Sequence, residues 1–172
     1  MQKIIMDILK LNKVFHVLCL VFSLVFFTTC ESTNKEKDNY IKIEKECSQK
    51  QKITELSLIF LGYSYNEISD IVLEIRGVNP LISKLYVPEK ITDSIRLRRD
   101  VTIYQEIGLK DTVVLVFPNK ERYILRDFKY KVRPHFTTLS KKWGCDFYEM
   151  KINNVIKEGG SATFIKEGFE IE

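Results

Sequence analysis

Residues 112–132 read TVVLVFPNKERYILRDFKYKV. Thr112–Phe117 is an unbroken apolar run, Pro118-Asn119-Lys120 is turn-forming, and Arg122–Val132 returns with alternating polarity. β-Branched and aromatic residues suit a pleated strand, and two such runs around a short turn predict an antiparallel hairpin. The first strand is apolar at every position and so belongs in the middle of a sheet. The apolar parity slips between Leu125 and Phe128, which predicts a bulge near Arg126-Asp127.

Working outward, the same grammar repeats. Ile53–Leu61 suits a strand buried on both faces, with a short helix as the alternative. Ile71–Arg76 alternates, Leu81–Val87 is a short strand, and Pro88–Ser94 has room for one helical turn. Ile95–Ile107 alternates over a length unusual for a strand, and Arg99 interrupts its apolar parity, so a bend is expected there. The arginines of Arg96–Arg99 read as a solvated strand face. Thr137–Gly144 has no clear period and reads as a loop. Asp146–Ile152 and Val155-Ile156 flank Asn153-Asn154, a pair that tolerates a two-residue hairpin turn, and Thr163–Ile171 supplies a last strand. The chain has a single alanine, Ala162, in keeping with a composition that favours strands over helices. Seven to nine short strands with regular turns predict an all-β fold, a single β-sandwich (Ig-like or similar) over residues 45–172.

The N-terminal residues obey a different rule. Lys3, Lys10 and Lys13 against Asp7 give a positive start, and Val14–Phe27 follows without a formal charge. A spanning helix needs about 20 apolar residues, whereas a signal core needs only about 7–15. The run ends in Phe27-Thr28-Thr29-Cys30 and passes at once to the polar string Glu31–Asn39. This pattern resembles the bacterial lipoprotein precursors, in which small residues precede a lipid-bearing cysteine. The resemblance implies a hydrophobic signal helix over residues 1–29, cleavage before Cys30 and diacylglycerol on its thiol. An ordinary signal peptide and an uncut anchor are the other two readings of the run. Residues 30–44, rich in charge, then form a flexible tether. The location implied is the bacterial cell envelope, on the outer membrane and at either its periplasmic or its surface side.

Cys47 and Cys145 are the two cysteines beyond that segment. Outside the cytoplasm they predict a disulfide, closing a loop of about 98 residues; two buried free thiols are the alternative. The chain has 27 Lys+Arg against 23 Asp+Glu, too even a balance for a nucleic-acid binder.

Searching for chemistry excludes more than it finds. His135 is the single histidine after the signal segment, so no site can use two imidazoles, and no phosphate loop or GxSxG elbow occurs. No metal, cofactor or catalytic residue is assigned. One cluster has a pattern: Lys129, Lys131, Arg133 and His135 share one strand parity, and Lys141, Lys142 and Trp143 follow in the next loop. Cations beside an indole suit an anionic glycan, a lipid headgroup or an acidic envelope protein. The same lysines also serve to guard a sheet edge against aggregation, and Trp143 beside Cys145 also reads as an aromatic packed on a disulfide. The sequence thus predicts a lipid-anchored, non-enzymatic binding or structural domain. A hydrolase of the envelope, using carboxylates or His135, is the alternative.

Overall fold

The computed structural model describes residues 36–90, 97–138 and 141–170. The expected signal segment, Cys30 and most of the helical turn at 88–94 lie outside them. Residues 36–48 form helix α1. There follow β1 (Lys52–Ile53), β2 (Leu56–Leu61), the single turn α2 (Tyr65–Ile68), β3 (Val72–Arg76), β4 (Leu81–Lys84), β5 (Arg99–Ile103) and β6 (Ile107–Gly108). The chain continues through β7 (Thr112–Val116), β8 (Arg122–Phe136), β9 (Lys141–Ile152), β10 (Val155–Glu158) and β11 (Ser161–Ile165). The fold is β-rich, with open sheets.

Three sheets result. The largest has the order β10-β9-β8-β7-β3-β4 and is antiparallel throughout; the second has the order β11-β2-β5; β1 and β6 form a small ribbon. β11 joins β2 in parallel, Leu58 opposite Ala162, whereas β2 and β5 are antiparallel. One apolar cluster draws on both larger sheets: Leu56, Leu58, Phe60, Val101 and Phe164 from one, Leu73, Ile75, Val113, Leu115, Leu125 and Met150 from the other. Phe60 stacks on Phe164 with centroids 5.3 Å apart and meets Phe117 edge-on. Each such side chain fully removed from water contributes about 1.5–3 kcal/mol.

The 112–132 stretch behaves as its composition demands. β7 lies between β3 and β8 and buries Val113, Val114 and Leu115, so both its faces are covered and alternation disappears. The β8–β9 register shifts between Arg126 and Lys129, and Asp127 takes a positive φ of 57°. Asn153 and Asn154 both take positive φ, 48° and 71°, the geometry a tight two-residue hairpin requires. Ser64 precedes α2, and its backbone N–H and hydroxyl both donate to Glu67, at 2.8 and 2.7 Å.

Elsewhere the chain departs from its periodicity. The alternating run 95–107 is not one strand. Leu97 has a positive φ of 43°, β5 starts at Arg99, and Tyr104–Glu106 leave the sheet before β6 pairs with β1 instead. Arg99 is not solvated: it is 4% exposed, donates from Nη1 to the Tyr63 carbonyl at 2.6 Å, and leaves Nε without an acceptor. Its parity had placed it inward, and the chain followed parity rather than charge. The loop expected over Thr137–Gly144 is shorter, because β9 already begins at Lys141. The tether expected over 30–44 is helical from residue 36 onward. That helix is held by contacts from distant sequence, made through the stripe Tyr40, Ile43 and Cys47 in an otherwise polar segment.

Candidate functional site

β8 and β9 outrun their neighbours. β7 pairs only with Arg122–Leu125, and β10 only with Glu149–Ile152. The rest, Tyr130–Phe136 against Lys141–Phe147, projects as a two-stranded arm. Such a hairpin is marginal in water unless something covers one face. Here α1 covers it. Residues 36, 40, 43 and 47 fall on one helical face, and Tyr40, Ile43 and Cys47 are half-buried there. Glu36 pairs with Lys141 at 2.6 Å, and Tyr40 meets Trp143 edge-on at 4.9 Å. Cys47 and Cys145 form a disulfide, with Cα atoms 5.3 Å apart. Helix and strand therefore run side by side in the same direction. From 36 to 47 the helix rises roughly 16 Å, against roughly 13 Å along the strand from 141 to 145.

The basic cluster divides between the two faces of this arm. Lys141 and Trp143 point to the α1 side, where the Lys141 ammonium lies 4.5 Å from the indole centroid. The indole Nε1 is buried without an acceptor among the described residues. Lys131, Arg133, His135 and Lys142 occupy the outer face by register, since Arg133 is opposite Gly144 and His135 opposite Lys142. Lys129 sits at the root of the arm and pairs with Glu149 at 2.6 Å, a contact that raises its pKa.

Tyr148 organises the outer face. Lys131 Nζ lies 4.8 Å and the Arg133 guanidinium 4.6 Å from its ring centroid. Its hydroxyl donates to Glu158 at 2.7 Å; this hydrogen bond and partial burial push its pKa up, so the ring stays a neutral phenol beneath two cations. His135 lies across Gly144 to reach Asp146, with Nε2 2.7 Å from Oδ2. Gly144 permits this: a Cβ there would stand 2.6 Å from the imidazole. Lys131, Arg133 and Lys142 have no carboxylate within ion-pair distance among the described residues.

At the arm's root, Thr54, Glu55, Ser57, Tyr130, Cys145, Asp146, Phe147 and the Gly159-Gly160 turn line an open cleft of about 360 Å³. Among the described residues, no three His, Cys, Asp or Glu side chains gather to hold a metal, and no helix is long and apolar enough to cross a membrane. The sequence reading missed Tyr148, Asp146 and Tyr40. The first two become visible only once β8 and β9 are set in register; Tyr40, Ile43 and Cys47 were present as a helical stripe within a polar segment. Comparison with protein families, curated proteins and solved structures gives no match.

Proposed function

We propose that this is an exported, lipid-anchored binding protein of the bacterial cell envelope. In this reading Cys30 carries the lipid, the two larger sheets pack as a single sandwich, and the outer face of the arm receives an anionic partner without chemistry. The observation that carries it is the pair of cations, Lys131 and Arg133, poised over Tyr148 with no carboxylate partner among the described residues. Cations that only guard an edge need no aromatic platform, whereas a platform fixes their geometry before a ligand arrives. The Cys47–Cys145 bond supports a compartment outside the cytoplasm, because such bonds persist there.

The test has two arms. Cys30→Ser abolishes fatty-acid labelling of the protein; unchanged labelling removes the anchor. K131E/R133E/K142E abolishes salt-sensitive retention on an anionic polysaccharide and on phosphatidylglycerol vesicles; retention equal to wild type removes the binding face.

The His135–Asp146 contact favours a second reading, an envelope hydrolase in which Asp146 orients the imidazole as a general base. Among the described residues no hydroxyl or thiol is hydrogen-bonded to His135, so a nucleophile would have to be water. Hydrolysis of an ester or glycan that His135→Ala eliminates would establish this reading over the first.

A further inference from the structure

We infer that the arm is the membrane-facing end of the molecule, and that its tip docks on the anionic headgroups of the bilayer holding the anchor. The inference rests on the lipid anchor proposed above and adds an orientation and a partner to it. Three observations place the tip there.

The first is reach. Cys30 precedes Glu36 by six residues, a span of at most roughly 21 Å for a fully extended chain. Glu36 is bonded to Lys141 at the outer end of the arm. A lipid on Cys30 therefore holds the tip close to the bilayer, while the β9–β10 turn lies roughly 37 Å further along β9.

The second is apolar exposure. Phe136, the last residue of β8, is 74% exposed. Phenylalanine is among the side chains that surface-bound segments bury at the headgroup–acyl boundary.

The third is charge. Glu36 answers Lys141, which leaves Arg133 and Lys142 near the tip and Lys131 behind them without a carboxylate among the described residues. Each such cation near an anionic leaflet strengthens contact about five-fold. An anionic glycan would satisfy the same charges, but it gives no role to Phe136 or to the position of residue 36.

Tryptophan quenching tests this on the full chain, purified with its anchor and reconstituted in vesicles of phosphatidylethanolamine and phosphatidylglycerol with brominated acyl chains. Phe136→Trp puts a reporter at the tip, Val155→Trp puts one at the far end of β9, and wild type supplies the Trp143 background. Fatty-acid labelling of Cys30 is measured on the same preparations. The expected result is bromine quenching of the Phe136→Trp reporter and none of the Val155→Trp reporter, weakened by salt. R133A/K142A lowers the tip-contact equilibrium about 25-fold. Labelled protein whose tip reporter is quenched no more than the far-end reporter overturns the inference and leaves the anchor standing. Unlabelled protein overturns the anchor and this inference with it. Equal quenching in purely zwitterionic vesicles overturns the headgroup assignment.

Discussion

Breaking the bond between Cys47 and Cys145 should release α1 while sparing the β body. Without the bond, α1 is held among the described residues by two half-buried apolar side chains, one edge-on aromatic pair and one exposed ion pair. The aromatic pair contributes about 0.5–1.5 kcal/mol and the ion pair about 0–1 kcal/mol. Against this, ordering each helical residue costs about 1–2 kcal/mol of backbone entropy, and isolated helices shorter than about 12–15 residues are marginal in water. The docked helix loses that comparison. The bond spans 98 residues of sequence, for which the chain-entropy model gives about 4–5 kcal/mol of global stability, an upper figure because the unfolded chain retains structure. Hydrogen exchange of the C47S/C145S variant should therefore show residues 36–48 exchanging as free chain, with 112–116 still protected. Trypsin should cut after Lys42 and Lys45, both exposed. Urea unfolding should place the loss at no more than about 4–5 kcal/mol. Slow exchange of 36–48 in the variant, equal to that of the oxidised protein, would refute the argument that covalent linkage holds the helix in place.

Three further outcomes are expected. Lys166 and then Ser64 hold the Glu67 carboxyl at about 2, below its ordinary 4.5, so its contribution to stability is full above pH 4.5 and is lost as pH falls through about 2. With the side chain 39% exposed, E67Q should cost less than about 1 kcal/mol at pH 7 and a small fraction of that at pH 2, measured by urea unfolding at both. Arg99→Met removes a buried charge with an orphaned Nε, but it strands the buried Tyr63 carbonyl by deleting a charge-assisted hydrogen bond worth about 1.5–3 kcal/mol, and should lower the urea midpoint; an unchanged or higher midpoint would contradict this. Gly144→Ala should push the imidazole off Asp146 and change the His135 ring ¹⁵N shifts, with the unfolding midpoint little altered; unchanged shifts would contradict the packing described.

Where local chemistry decided the structure, the sequence was readable. The apolar run 112–117, the Asn153-Asn154 turn and the slip near Asp127 each follow from rules that act over a few residues. The failures share another cause. Arg99 went inward with its parity at the expense of its charge, and Leu97 broke an alternation that continued past it. Lys141 and Trp143 became strand because a partner strand and α1 stabilise them from outside the segment. For the site, period two aligned Lys131, Arg133 and His135, which stand opposite Asp146, Gly144 and Lys142, while a register shift falls at Lys129; it could not show that Trp143 faces away from them. It could not show either that Tyr148, rather than the indole, lies beneath the cations. Cross-strand register supplies that information, and register is a property of two segments.

The parallel contact between β2 and β11 sets an order of events. β2 precedes most of the body, but its neighbour on one side arrives only with Ser161–Ile165. A chain threaded N-terminus first through any pore has an unfinished sheet until that late segment emerges, and the wait is of the kind that slows folding in proteins rich in distant pairings. Cutting the chain before Ser161 should therefore leave a species that chaperones retain and proteases clear, with Phe60 and Leu58 still seeking the partner they never met.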